Sequence, residues 1–255
     1  MIDIGMGKWI KDYNGYLLMK FTSKYCYQQS FLDGKLFFNT SDFFASCDDA
    51  GRGDHNEGNA IVVEESDEAK TSLRCEGVNG QMLLIEEDFT NKPSEYIKSN
   101  VFSYSPAKNR KRKVISFYTA YINLDREEVS PFTDNMSDEF GKYGIIILDR
   151  QVFFERVENA IKKQADIKDA QMGFVEYHDL KPGVNHWHPF KKDKSKFEYQ
   201  NEFRITFIND NDQTYTLNLG RSLRDIAVPI QADDVHKIGF KNGKLVYPIY
   251  SKCLK

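Results

Sequence analysis

Residues 196–207 read Lys-Phe-Glu-Tyr-Gln-Asn-Glu-Phe-Arg-Ile-Thr-Phe, and the interpretation of the whole chain depends on this stretch. Aromatic and β-branched residues recur at alternate positions, which predicts a β-strand. Alternation then gives an apolar face and a polar face, the polar one carrying Glu198, Gln200, Glu202, Arg204 and Thr206. Such a polar row is either the solvated side of a strand or the floor of a site, and both interpretations remain open at this point.

Composition limits the class of protein. The chain has 255 residues, of which 40% are hydrophobic and 14% aromatic, so it is long enough to bury a core and favours a sheet-containing globular fold over disorder. A net charge of −3 gives no overall attraction to nucleic acid, so nucleic-acid binding requires a local basic patch.

The cysteines and the apolar runs indicate a cytoplasmic protein. The four cysteines form no CxxC pair, and we interpret them as reduced thiols. The segment from Met1 to Lys11 has no uninterrupted apolar run, so we do not expect a signal peptide. No stretch approaches the roughly 20 apolar residues of a membrane span.

The patterns outside residues 196–207 predict further strands and helices. We expect strands at 15–22, 35–40, 114–122 and 143–149, a helix at 24–32 capped by Ser23, and a helix at 150–163. Residues 214–219 are predicted to form a hairpin with the strand at 196–207, and Asn242-Gly243 is predicted to form a second hairpin turn. Because the elements lack a strict βαβ rhythm, we predict an α+β fold with mixed, mostly antiparallel sheets and flanking helices. With no Pro- or Ser-rich linker, residues 1–255 are expected to form a single domain, with 1–13 as an N-terminal arm.

Several groups of residues are candidates for chemistry. A carboxylate such as Glu202, with an amide two residues earlier, can hold a ribose hydroxyl, stabilise a developing positive charge or act as a general base. The alternative is a surface strand whose Glu202 and Arg204 pair with each other or with a neighbouring strand. A basic run flanked by aromatics is a candidate nucleic-acid contact and contains Lys108, Arg110, Lys111, Arg112 and Lys113. Metal binding is the corresponding hypothesis for two further groups, which are the acidic loop with Asp48, Asp49, Asp54, His55 and Glu57, and the histidine group of His178, Asp179, His186 and His188.

Taken in order, the motifs resemble a bacterial family. They are Lys20-Phe21-Thr22, 36–44 (LFFNTSDFF), 52–58 (RGDHNEG), 115–118 (ISFY), 140–144 (FGKYG) and 197–204 (FEYQNEFR). Together they resemble a widespread family of largely unknown function that is related to the AbiGi-type abortive-infection proteins of phage defence. The resemblance covers about residues 17–207. It implies a cytoplasmic effector of anti-phage defence with a macromolecular target, RNA or DNA among the candidates, and a cognate antitoxin.

The same order is more loosely similar to the ADP-ribosyltransferase layout. Gln200-x-Glu202 matches the Gln/Glu-x-Glu motif of that superfamily, while Lys20 stands where the first strand would carry Arg or His. The resemblance implies an ADP-ribosyltransferase-like fold that uses NAD and no metal. Glu202 would stabilise the oxocarbenium-like transition state and Gln200 would orient the nucleophile. The remaining site residues would bind the nicotinamide or, in the case of Lys20, the pyrophosphate: Lys20, Thr22, Ser116, and Phe117 or Tyr118.

Two other classes remain open. The acidic loop and the histidines are consistent with a metal-dependent nuclease-like effector. A non-catalytic sensor or an antitoxin-type partner is the third hypothesis, because AbiGi-like proteins occur in paired systems.

Overall fold

The computed structural model describes residues 4–5, 12–46, 57, 60–64, 70–76, 82–88, 100–104, 111–134, 136–179, 183–185 and 188–248. In the described residues the strands are β1 (Ile4–Gly5), β2 (Gly15–Thr22), β3 (Lys35–Thr40), β4 (Ala60–Glu64), β5 (Lys70–Glu76), β6 (Met82–Asp88), β7 (Asn100–Tyr104), β8 (Arg112–Asn123), β9 (Glu128–Val129), β10 (Tyr143–Ile147), β11 (Ile167–Phe174), β12 (Glu176–His178), β13 (Gly183–Asn185), β14 (Lys191–Asp193), β15 (Glu202–Asn209), β16 (Tyr215–Asn218), β17 (Ala227–Gln231), β18 (Gly239–Lys241) and β19 (Lys244–Val246). The α-helices there are α1 (Tyr25–Leu32), α2 (Ser41–Ser46), α3 (Met136–Phe140), α4 (Arg150–Lys162) and α5 (Lys194–Phe197).

The central feature is a ten-stranded sheet in the order β1-β11-β15-β8-β2-β10-β17, with β3, β9 and β16 attached beside it. Its strand pairs in the described part of the chain are antiparallel except β1 with β11. The prediction of an α+β fold with mostly antiparallel sheets is therefore confirmed. The strand β1 comes from the predicted N-terminal arm and lies at one edge.

The two faces of this sheet bury separate apolar clusters. On the first face, α1 and α4 cover residues such as Leu18, Phe117, Ile145 and Phe203. On the second face, α3 and the segment after β17 cover residues such as Met19, Tyr118, Ile146 and Ile230. Neighbours in sequence thus point into different clusters, as strand alternation requires. We call these the first face and the second face.

The helix predicted at 150–163 is confirmed by α4. Asp149 caps it by accepting a hydrogen bond from the amide of Val152 at 3.0 Å, and its buried residues Phe153, Val157, Ala160 and Ile161 form the predicted apolar stripe. The helix α1 begins at Tyr25, but the predicted Ser23 cap is wrong. The N-cap position is occupied by Lys24, which makes no side-chain cap, so Ser23 lies one residue too early.

The prediction of one continuous strand over 196–207 is half wrong. Residues Lys194–Phe197 form α5 and Glu198–Gln200 form a 3-10 turn, so the strand begins only at Glu202. Asp193 accepts hydrogen bonds from the amide and the hydroxyl of Ser195, and this cap favours a helical start over an extended one. Asn201 then takes a left-handed conformation, with φ 42°, which Asn tolerates better than most residues.

The predicted hairpin between residues 196–207 and 214–219 is also wrong. The strand β16 pairs with β3, while β15 is already paired on both sides, with β11 and β8. The Asn242-Gly243 turn is confirmed, because it joins β18 to β19 with both residues at positive φ. No helix in the described parts of the chain is long and apolar enough to cross a membrane.

Candidate functional site

The candidate site lies where β15 begins. The left-handed turn at Asn201 ends the 3-10 turn, and its carbonyl accepts a hydrogen bond from the amide of Thr119 on β8 at 2.8 Å. Gln200 therefore precedes β15 and does not belong to it, and its side chain lies near that of Glu202 because both bind Lys192. Both side chains are buried, with 3% and 6% of their surface exposed.

Glu202 is held by two cations. Its Oε1 accepts a hydrogen bond from Lys192 Nζ at 2.5 Å, and its Oε2 accepts one from Arg204 Nε at 2.8 Å. Its backbone amide donates to the Tyr177 hydroxyl at 2.9 Å. Arg204 lies two residues further along β15 and therefore points to the same side of the strand.

Arg204 links this carboxylate to a second one, Glu57, from a distant part of the chain. Its Nη1 and Nη2 donate to the two carboxylate oxygens of Glu57 at 3.0 and 3.2 Å, and Nη1 also donates to the carbonyl of Pro189 at 2.8 Å. We call Glu57, Lys192, Glu202 and Arg204 the charge network. It contains two acids and two bases, all buried, so the network as a whole is neutral.

The electrostatics of the network keep Glu202 ionised. Burial alone would raise the pKa of Glu202, but the charges and hydrogen bonds of Arg204 and Lys192 outweigh burial and hold that pKa far below its usual range. Burial likewise acts to lower the pKa of Arg204, and the charges of Glu202 and Glu57 raise it instead. Burial and the nearby Glu202 charge raise the pKa of Tyr177 well above normal. At neutral pH Glu202 is therefore an electrostatic group and not a proton acceptor.

Gln200 and Glu202 converge on one point in space. Lys192 Nζ donates to Gln200 Oε1 at 2.7 Å and to Glu202 Oε1 at 2.5 Å. The same ammonium lies 4.5 Å from the centre of the Phe197 ring, a cation–π contact. An amide, a carboxylate and an aromatic face thus surround a single position that is occupied by a positive charge.

Two of the predicted cofactor-binding residues share the side of the sheet on which Glu202 lies. On β8, Tyr118 is directly opposite Glu202 and Ser116 is directly opposite Arg204. Tyr118 is buried, and its ring packs against Phe132 and Phe140 at centroid distances of 5.9 and 5.3 Å. Burial raises the pKa of Tyr118, so its phenol stays neutral. All these residues belong to the second face.

The other three predicted cofactor-binding residues lie on the first face. Phe117 is 1% exposed and packs in the core of that face. Lys20 is directly opposite Ile145 and Thr22 opposite Tyr143, which alternation assigns to the same side. Lys20 Nζ donates to the carbonyl of Ser116 at 2.8 Å and lies 5.9 Å from the Phe117 ring. The structure thus separates Lys20, Thr22 and Phe117 from Glu202, where the resemblance implies a single cleft.

The basic run also differs from an exposed nucleic-acid surface in its described part. Arg112 is buried and its guanidinium binds Thr206 Oγ1 at 2.9 Å and the carboxylate of Asp169. Lys113 is fully buried and its ammonium donates to the carbonyl of Asn211; burial lowers the pKa of this lysine. Lys111 is half-buried in a turn. Lys108 and Arg110 lie outside the described residues.

The two groups of residues proposed for metal binding lie only partly within the described residues. Asp48, Asp49, Asp54, His55 and His186 lie outside the described residues, while Glu57 binds Arg204. His178 contacts Glu176 at 3.1 Å on the surface. Where the structure describes the chain, no group of three His, Cys, Asp or Glu side chains is arranged to hold a metal ion.

Sequence reasoning missed Lys192 and the role of Glu57. Lys192 belongs to none of the motifs quoted above, and Glu57 is one acid of the acidic loop. Glu57 and Arg204 are 147 residues apart, and no local pattern indicates that they pair. Comparisons with protein-family models, with curated proteins and with solved structures found no match to this chain.

Proposed function

We propose that the protein is a NAD-dependent ADP-ribosyltransferase whose reaction centre is formed by Gln200 and Glu202. The observation that carries the proposal is their convergence on one cation, at 2.7 and 2.5 Å. Transfer of ADP-ribose develops positive charge on the sugar as nicotinamide leaves. A fixed carboxylate and a fixed amide directed at one cationic position form the arrangement that stabilises such a charge.

The chemical step assigns a separate role to each residue. The bond between the ribose C1′ and the nicotinamide nitrogen breaks, and its electron pair leaves with neutral nicotinamide. Glu202, ionised and fixed by Arg204, stabilises the charge that develops on the ribose. Gln200 orients the acceptor nucleophile, which forms the new bond to C1′ and releases its proton to solvent. Glu202 needs no proton transfer, which agrees with its lowered pKa.

The second face supplies the remaining contacts in this proposal. Ser116 and Tyr118 lie opposite the network on β8 and are the candidates for contact with the nicotinamide. We assign no role in this reaction to Lys20, Thr22 or Phe117, because they lie on the first face. The acceptor is proposed to be a macromolecule and the context to be anti-phage defence, both on the resemblance alone. Arg112 and Lys113 are engaged inside the protein, so they do not support a nucleic-acid acceptor.

The test is incubation of the purified protein with radiolabelled NAD, with and without cell lysate. Release of labelled nicotinamide reports cleavage, and label on macromolecules reports transfer. Glu202→Gln keeps the shape of the side chain and removes its charge, so cleavage should fall about 100- to 1,000-fold. Gln200→Ala should reduce transfer to macromolecules more than it reduces NAD hydrolysis.

The matched control is Glu158→Gln on α4. Glu158 lies on the surface and pairs with Lys162 one turn away, so this variant should cleave NAD at the wild-type rate. Circular dichroism of each variant establishes that it is folded. Cleavage by folded Glu202→Gln at the wild-type rate, or absence of NAD cleavage from every form of the protein, contradicts the proposal.

A further inference from the structure

We infer that the ammonium of Lys192 blocks the reaction centre from within, as an internal cationic plug. An ADP-ribose donor with a positively charged ring must displace this ammonium to bind. The inference rests on the proposed function and adds to it the charge of the ligand and the residue that controls access. The ammonium of Lys192 makes the contacts with Gln200 and Glu202 that the developing cation of the sugar would make. A lysine in that position and a bound donor exclude one another.

The ammonium of Lys192 is enclosed by the site in the way that a bound cationic ligand would be. Its side chain is 6% exposed, and its ammonium is surrounded by Gln200, Glu202 and the ring of Phe197. In their geometry these contacts resemble those of a bound organic cation, for which an aromatic face and a carboxylate are the usual partners. The site therefore already shows a preference for positive charge.

The two cations of the network are anchored very differently. Arg204 belongs to β15, which is paired on both sides in the large sheet, and four hydrogen bonds hold its guanidinium. Lys192 belongs to β14, a three-residue strand that pairs only with the three residues of β12 among the described strands. A two-stranded ladder of this length is marginal by itself, so β14 opens at a lower cost than β15.

Displacement of Lys192 changes the charge of the site. The network is neutral while Lys192 is inside, and removal of one positive charge leaves one net negative charge beside the Gln200 amide. Arg204 still orients Glu202, so the carboxylate stays in place. The opened site is thus suited to a ligand that carries a positive charge next to sugar hydroxyls, and the nicotinamide riboside part of NAD belongs to this class.

The test compares Lys192→Met with Lys191→Met. Methionine keeps most of the length and the apolar character of the lysine stem without its charge. Lys191 is the exposed neighbour on the same strand, which makes it the matched control. Calorimetry measures NAD binding and nicotinamide release measures cleavage, with circular dichroism as the check on folding. If the plugged state holds about 90% or more of the protein, Lys192→Met should bind NAD about tenfold or more tightly than wild type, and Lys191→Met should bind it equally.

A second measurement needs no variant. Brief treatment of wild-type protein with an amine-acetylating reagent, followed by mass spectrometry, reports how accessible Lys192 is. We expect Lys192 to be protected without NAD and acetylated several-fold faster at saturating NAD, whereas Lys191 is acetylated at one rate in both conditions. Equal acetylation of Lys192 with and without NAD overturns the plug.

The outcomes separate this inference from the proposed function. If wild type cleaves NAD in a Glu202-dependent manner and folded Lys192→Met binds NAD no more tightly, the plug is overturned and the transferase stands. If Lys192→Met binds NAD more tightly than wild type and no form cleaves it, the plug stands and the transferase is overturned. If neither protein binds NAD, both are overturned.

Discussion

Arg204→Met is the most informative perturbation of the charge network. Arg204 donates four hydrogen bonds, one to Glu202, two to Glu57 and one to the carbonyl of Pro189. Methionine fills a similar volume and donates none of them. Both oxygens of Glu57 lose their bond to Arg204, and Glu202 loses one of the two cationic partners that it has among the described residues.

The expected cost follows from leaving buried acids without this partner. Removing one member of a buried ion pair costs about 3–5 kcal/mol, because the remaining charge stays desolvated. Since one guanidinium here compensates two buried carboxylates, we expect a value in the upper half of that range. This is a large part of the roughly 5–15 kcal/mol that stabilises a typical domain.

The loss should also depend on pH. In the wild type the pKa of Glu202 is held far below its usual range, so its contribution to stability is present above about pH 4.3, the unfolded pKa, and is lost as the pH falls toward the folded pKa. In Arg204→Met the pKa of Glu202 rises, because the positive charge of Arg204 does more than any other neighbour to keep that pKa low. The stability difference between wild type and variant should therefore be larger at pH 7.5 than at pH 4.5.

Urea unfolding followed by circular dichroism at both pH values measures the difference. The matched control is Arg126→Met, which removes an ion pair with Asp12 at 3.1 Å whose side chains are 55% and 61% exposed; it should cost less than about 1 kcal/mol. The reasoning is refuted if Arg204→Met costs no more than Arg126→Met at pH 7.5. It is equally refuted if its cost is the same at both pH values.

Two further predictions concern the scaffold that carries the site, and the same urea assay tests them. A Cβ at Gly144 on β10 would lie 2.7 Å from Ile230 Cγ1 and 2.8 Å from Phe21 Cε1, so Gly144→Ala should lower the free energy of unfolding by about 1–3 kcal/mol. The control is Gly239→Ala, whose Cβ meets no heavy atom within 4 Å and which should change stability by less than about 0.5 kcal/mol. Equal costs for the two variants would contradict this packing. Asp149→Ala removes the cap of α4 and should cost about 1 kcal/mol, with Asp149→Asn nearer to wild type; an unchanged midpoint for Asp149→Ala would show that the cap contributes nothing.

The sequence alone predicts those strands and helices that have a long hydrophobic pattern and pack against apolar partners. The strand predicted at 15–22 is β2, and the helix predicted at 150–163 ends one residue early at Lys162. In both cases many apolar positions agree with one period, so a single contrary residue changes little. The prediction of a strand at residues 196–201 was wrong because six residues are too few to distinguish the alternation of a strand from the pattern of a helical turn. The Asp193 cap, which lies outside the pattern, decided the outcome.

The charge network shows a different limit of sequence reasoning. The Gln200 and Glu202 pair was found because both residues lie within one motif. The partners that determine its chemistry are Lys192, from another strand, and Glu57, from a distant part of the sequence. A buried ion pair depends on where the chain brings opposite charges together, and composition or local spacing carries no information on that.

Lys20 shows how one residue of register decides which groups belong to a site. The resemblance to the ADP-ribosyltransferase layout implied that Lys20 and Glu202 share one cleft, although they belong to the first and the last motif along the chain. Side chains alternate, however, and it is Met19 that lies opposite Tyr118, which in turn lies opposite Glu202. Shifting the pairing by one residue would exchange Met19 for Lys20 and place an ammonium on the second face. The apolar packing of both faces fixes this register and keeps Lys20 on the first face. The cation that reaches Glu202 from another described strand is Lys192 instead.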